Sequence, residues 1–155
     1  MRFIVAPVGK PRDRELGAVI RAYEERAARY WPLEAREVRE EPARGLTPGQ
    51  VREREGERLL AHLEPGTLLV ACDATGTLMR SEEFAEWMMR ERERATRDAV
   101  FAIGGAYGLG DAVLARAGMR LSFARWTLPH ELARLVLAEQ LYRAGTIVRG
   151  EPYHK

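Results

Sequence analysis

Thr67-Leu68-Leu69-Val70-Ala71-Cys72-Asp73 is the stretch that decides the fold class. Its apolar residues run on almost unbroken instead of alternating with polar ones. A strand with one face in water alternates; a strand covered on both faces does not. Ala99-Val100-Phe101-Ala102-Ile103 repeats the pattern and stops at Gly104-Gly105. Helical spacing fills the gaps between such runs. Leu16, Val19, Ile20, Tyr23, Ala27 and Tyr30 predict a helix over 13–30, ended by Pro32. Thr47 caps a charged helix running to Leu63, which Pro65-Gly66 stops. Ser81, with Glu83 and Phe84, opens a third helix to Ala95, and a short helix is expected over 111–117. Pro129, well suited to a first helical turn, starts a long helix to Val148. Further strands are expected over 2–8, 33–40 and 119–123. Such alternation implies an α/β fold, a mainly parallel sheet flanked by helices on both faces.

The chain has 155 residues, the length of one ordinary domain, here taken as 1–155. With 46% apolar and 31% charged residues it can bury a core, which excludes a disordered chain. No apolar run approaches the roughly 20 residues that cross a bilayer. The apolar start at Phe3-Ile4-Val5 meets Pro7 and Gly9 too soon for a signal peptide. A cytoplasmic protein with no membrane partner is therefore expected. Cys72 is the only cysteine, which excludes an internal disulfide and a multi-cysteine zinc site, and no metal is expected. Only Lys10 and Lys155 are lysines and there is no asparagine, a bias that fits either a thermophile or GC-rich codons. The net charge is only +2, but from Arg116 onward six arginines and Lys155 face Glu131, Glu139 and Glu151. That excess is compatible with an anionic partner such as RNA.

Three loops leave the same edge of the expected sheet. Gly104-Gly105-Ala106-Tyr107-Gly108-Leu109-Gly110 follows a buried strand, where glycines let a ligand approach the backbone. It fits neither G-x-G-x-x-G nor a phosphate loop ending in G-K-[ST]. Asp73-Ala74-Thr75-Gly76 follows Cys72, and Ala124-Arg125-Trp126-Thr127-Leu128-Pro129-His130 follows the last strand. Taken alone, each is equally well a turn or a helix start.

The C-terminal segments go further. Thr127-Leu128-Pro129-His130, Arg134-Leu135-Val136, Ala138-Glu139-Gln140-Leu141-Tyr142-Arg143-Ala144 and Pro152-Tyr153-His154-Lys155 closely resemble the ribosomal RNA large subunit methyltransferase H family of the SPOUT superfamily. Val8-Gly9, Glu55-Gly56, Gly104-Gly105 and Gly108-Leu109 extend the resemblance over nearly the whole chain. It implies a SPOUT-type fold with a C-terminal trefoil knot, acting as a homodimer. It implies S-adenosylmethionine-dependent methylation of N3 of a pseudouridine in a 23S rRNA stem-loop, with assembled ribosomes as substrate. Carried over residue by residue, cofactor contacts fall on Cys72, Gly104, Phe123, Ala124, Arg125, Trp126, Thr127 and Leu128, many through the backbone. Cys72 departs from the larger aliphatic residue typical there, and Ala106-Tyr107 lies where relatives vary.

Methyl transfer needs alignment, exclusion of water and loss of the N3 proton. Arg143, Tyr153 and His154 are the catalytic candidates, with His130 as an outsider better suited to orienting its loop. Glu139 and Arg143 also stand i,i+4 in the order that favours a helix ion pair. Cys72 has no basic neighbour in sequence and reads as a small buried hydrophobe. The alternatives are a non-catalytic ribosome-binding factor of the same fold and a tRNA methyltransferase.

Overall fold

The computed structural model describes residues 1–94 and 97–155 less Lys155, and of His154 only the backbone. The expected helix end at Ala95, the last residue Lys155 and the side chain of His154 lie outside the described residues. Among the described residues five strands make one sheet: β1 (Arg2–Pro7), β2 (Leu33–Ala35), β3 (Leu68–Leu78), β4 (Asp98–Ile103) and β5 (Met119–Ser122). Among the same described residues five helices alternate with them: α1 (Arg14–Ala27), α2 (Pro48–Ala61), α3 (Ser81–Glu93), α4 (Asp111–Arg116) and α5 (His130–Val148). A 3₁₀ turn, Pro152–His154, follows. The sheet order is β2-β1-β4-β3-β5 and every pairing is parallel.

The unbroken apolar runs sit at the centre, as their composition requires. Along β4, Ala99, Phe101 and Ile103 face one core while Val100 and Ala102 face the other. The first core is closed by α1, α3 and α5, with Phe84, Met88, Leu137 and Leu141 among its members. The second is closed by α2 and α4 through Leu59 and Val113. Local signals set the helix starts. Asp13 accepts from the Leu16 N–H at 2.8 Å. Thr47 and Gln50 form a reciprocal capping box, and Glu83 accepts from the Arg80 N–H at 2.8 Å.

Two strands differ from expectation. The strand expected over 33–40 shrinks to Leu33–Ala35, with one further bridge between Val8 and Val38. Pro7 on the neighbouring strand accepts from the Val38 N–H but has no N–H to return, so the ladder breaks there. The strand expected over 67–73 runs on to Leu78. It leaves register after Cys72 and resumes beside β5 at Thr77 and Leu78. Gly76 makes this possible, since a Cβ there would stand 2.6 Å from the Arg120 carbonyl carbon.

Helix α5 is anchored by a buried charge. Arg134 is 4% exposed, donates to both oxygens of Glu24 at 2.8 and 3.2 Å and reaches Glu37 at 2.8 Å. Burial works against its charge, but the two carboxylates outweigh that and hold the guanidinium ionised. Removing one partner of such a cluster strands the others. Arg134→Ala is expected to lower the unfolding free energy by about 3 kcal/mol in urea titrations. A loss below about 0.5 kcal/mol, the value of an exposed pair, would contradict this role.

Candidate active site

The carboxyl ends of β3, β4 and β5 open into one cleft of about 670 Å³. That is where open parallel sheets hold ligands, and the volume suits a small-molecule site. Cys72, Asp73 and Ala74 come from β3, and Gly104 to Leu109 from the loop after β4. Phe123, Ala124, Trp126, Thr127 and Leu128 come from the loop after β5. His130 and Ala133 close the cleft from the first turns of α5. Cys72, Ile103, Leu109, Phe123, Leu128 and Ala133 give it an apolar lining suited to a flat ring.

The glycine loop is a tight turn. The Gly108 N–H donates to the Gly105 carbonyl at 3.1 Å, and Gly108 has φ +80°. A Cβ on Gly104 would stand 2.3 Å from the Gly108 carbonyl carbon, so only glycine lets the two backbones pass. The other two loops are tied together by Ser122. Its hydroxyl lies 3.2 Å from the Ala74 carbonyl and 2.7 Å from that of Ala124. Asp73 accepts from the Thr75 N–H at 2.9 Å, which fixes the turn after Cys72. Burial pushes the Cys72 thiol up, so it stays protonated and is no nucleophile. His130 lies 3.9 Å from Glu131, whose carboxylate also accepts from the Arg12 N–H at 2.9 Å.

The structure thus brings together seven of the eight residues assigned to the cofactor by resemblance. Arg125 is the exception: it is exposed and does not line the cleft. The catalytic candidates are elsewhere. Arg143 Nε and Nη2 donate to Glu139 Oε1 at 2.9 and 2.5 Å, and the Tyr153 hydroxyl donates to the same oxygen at 3.1 Å. The Arg143 guanidinium lies 4.8 Å from the Tyr153 ring centroid, and Tyr142 packs on that ring at 4.6 Å. Glu139 therefore does more than make an intrahelical pair; it assembles the cluster. Glu139 also holds the Arg143 charge in place. Burial raises the Tyr153 phenol, reinforced by Tyr23 and Glu139, so this hydroxyl is a donor at neutral pH. From His130 to Arg143 the helix rises about 20 Å, so cleft and cluster lie toward opposite ends of α5.

Glu55 carries a feature that composition did not reveal. It is 4% exposed, its Oε1 accepts from the Glu41 N–H at 3.0 Å, and its Oε2 has no partner among the described residues. The carboxylate lies against Gly105, where a Cβ would be 3.0 Å from Oε2. The signal was available: Val51, Glu55 and Leu59 follow one another at i,i+4 on the buried face of α2.

No helix among the described residues is long and apolar enough to cross a membrane. No group of three or more His, Cys, Asp or Glu among them could hold a metal ion. Residues 1–154 match the family model described as "Predicted SPOUT methyltransferase". The chain is 58% identical over 155 residues, 100% of both chains, to the "Ribosomal RNA large subunit methyltransferase H" of Gemmatimonas aurantiaca. It is 46% identical over 154 residues to the protein of that name from Pelotomaculum thermopropionicum, covering 97% of this chain and 96% of the relative. Among solved structures it resembles a probable methylase family protein from Haemophilus influenzae Rd KW20. There the TM-score is 0.57 at 14% identity, over 99% of this chain and 70% of the other, a likeness of fold.

Burial raises the Glu55 carboxyl above its ordinary range, against the Glu41 N–H and the Arg58 charge and aided by Glu40 and Glu41. The folded state then binds the proton more tightly than the unfolded state. Stability falls as pH rises from the ordinary carboxylate range through the raised native value. Glu55→Gln removes that titration, so the Tm of the variant minus that of the wild type is expected to grow as pH rises through the window. A difference independent of pH, in thermal melts across that range, would contradict the assignment.

Proposed function

This chain belongs to the ribosomal RNA large subunit methyltransferase H family of SPOUT methyltransferases, and from that premise we propose that it methylates N3 of a pseudouridine in 23S rRNA. The methyl donor is S-adenosylmethionine. The observation that carries the reading is the cleft at the carboxyl ends of β3, β4 and β5. Its apolar lining suits an adenine, and its glycine turn lets a ribose and an amino acid tail lie against backbone. Gly104 with Phe123, Ala124, Trp126, Thr127 and Leu128 would hold the donor, largely by backbone groups, and Cys72 would add an apolar contact from the same cleft. The donor supplies a sulfonium-bound methyl group open to in-line attack by a nitrogen.

The protein's own share is alignment and proton management. The three loops fix where the methyl points and keep water from it. An imide nitrogen attacks well only after losing its proton. Arg143 is a permanent cation and stabilises the resulting anion, and the Tyr153 hydroxyl donates a hydrogen bond. His154 is the residue type suited to take the proton near neutral pH.

Arg143 lies about 20 Å along α5 from His130, which lines the cleft of the same chain. The proposal therefore includes a homodimer in which the Arg143–Tyr153 end of one copy closes the cleft of the other. The outward side of α5 supports this, with Leu132 40% exposed. A trefoil-knotted C-terminal third belongs to the same reading; backbones pass closely at Gly76 and Gly104, where only glycine fits. The chain has a small net charge and no appended RNA-binding domain among its described residues. Assembled ribosomes, which present a preformed surface, are the proposed substrate, and the cytoplasm is the proposed location.

The test is transfer of labelled methyl from S-adenosylmethionine to ribosomes lacking the modification, beside free large-subunit rRNA and tRNA. Label in 23S rRNA from assembled ribosomes is the expected result. Label in tRNA would replace the substrate, and bound donor without transfer would leave a ribosome-binding factor. Deleting Tyr153-His154-Lys155 is expected to abolish transfer while donor affinity by calorimetry stays within about twofold. Full activity after that deletion would remove the tail from the mechanism.

A further inference from the structure

Six large apolar side chains among the described residues are strongly exposed: Val19, Leu78, Tyr107, Trp126, Leu132 and Val148. Two of them are aromatic, and both line the cleft. Tyr107 is 42% exposed and comes from the glycine turn; Trp126 is 72% exposed and comes from the loop before α5. They project from two different loops around one opening. The other aromatic lining residue, Phe123, is partly buried against the core.

Both rings stand on constrained backbone. Tyr107 lies inside the turn closed by the Gly108 N–H on the Gly105 carbonyl. Trp126 lies between Ala124, whose carbonyl accepts from the buried Ser122 hydroxyl at 2.7 Å, and Pro129 at the start of α5. A ring held out from a fixed loop loses little freedom when something flat settles on it. Burying a Trp elsewhere in the core would have been more stabilising, so its position at the mouth calls for a partner.

We propose that Tyr107 and Trp126 form a stacking platform at the cleft mouth that receives an unstacked base of the RNA substrate. The inference rests on the methyltransferase reading above and deepens it by naming the side chains that position the nucleotide. An enzyme acting on a base edge must take that base out of its helical stack, and an aromatic face replaces the stacking it loses. The cofactor would use the backbone of the 123–128 loop, which leaves the Trp126 ring free to face outward. Arg125, exposed beside it, adds a cation for the adjoining backbone phosphate.

The experiment measures steady-state kinetics on unmodified ribosomes for Trp126→Ala, Tyr107→Ala and the conservative Trp126→Phe, with donor affinity and sedimentation run beside them. Each alanine variant is expected to raise KM for ribosomes about tenfold, with donor Kd within about twofold and the oligomer unchanged. Trp126→Phe is expected to recover most of the loss, which a merely structural role would not require. An unchanged ribosome KM would overturn the platform, as would a weakened donor Kd that accounts for the whole defect. Dissociation of the oligomer in Trp126→Ala would assign the ring to contact between copies and overturn it as well. A wild-type protein that labels no RNA would remove the methyltransferase reading itself, a failure visible before any variant is compared.

Discussion

Helix α5 is enclosed along most of its length, with eight of its residues buried from Ala133 to Thr146, and the rest of the molecule is arranged around that fact. Leu137, Leu141 and Ala144 join the core that Phe3 and Phe101 of the sheet also build, and α5 packs against both α1 and α3. Gly145 is part of the fit: a Cβ there would stand 2.4 Å from the Tyr30 ring. The Trp31 indole N–H donates to the Leu141 carbonyl at 2.8 Å, and Arg134 clamps the helix to Glu24 and Glu37. A helix fixed on three sides cannot slide, so whatever its two ends carry is held at a constant separation. One end closes the cleft and the other carries Glu139, Arg143 and the turn with Tyr153. The proposed sharing of the site between two copies follows from that separation.

Much of this architecture was legible in the residues. The runs at 67–73 and 99–103 were apolar on both faces because both faces are covered, by α1, α3 and α5 on one side and α2 and α4 on the other. Thr47 announced the start of α2, and the capping box it makes with Gln50 needs no tertiary partner. What stayed hidden depended on contacts between distant segments. Nothing in Thr77-Leu78 foretells their return to β5, because that depends on Gly76 passing Arg120 at backbone distance. The strand at 33–40 was cut short by a proline on a different strand, which no local pattern records.

The site divides along the same line. Residues gathered by sheet order, from Cys72 through Gly104 to Leu128, were recoverable as three loops on one edge. The remoteness of Arg143 and Tyr153 was not, since spacing along a chain says nothing of where a helix end points. Glu139 looked like half of a surface ion pair, whereas one of its oxygens accepts from both Arg143 and Tyr153. Glu55 stood out only as half of the pair Glu55-Gly56 in the family resemblance. Its reason, a carboxylate wedged behind Gly105, needed the fold.

In the proposed dimer, the cleft of one copy and the Glu139–Arg143–Tyr153 cluster of the other act together. Complementation tests it most directly. One inactive variant carries Gly104→Ala, whose Cβ would collide with the Gly108 backbone and break the glycine turn that lines the cleft; the other carries Tyr153→Phe with Arg143→Ala, which empties the cluster. Refolded together in equal amounts, they would form mixed dimers with one intact composite site. Recovery of about one quarter of wild-type methyl transfer is expected from two proteins that are each inactive alone. Activity no greater than that of the separate variants, with mixed dimers demonstrated by tag exchange, would contradict it.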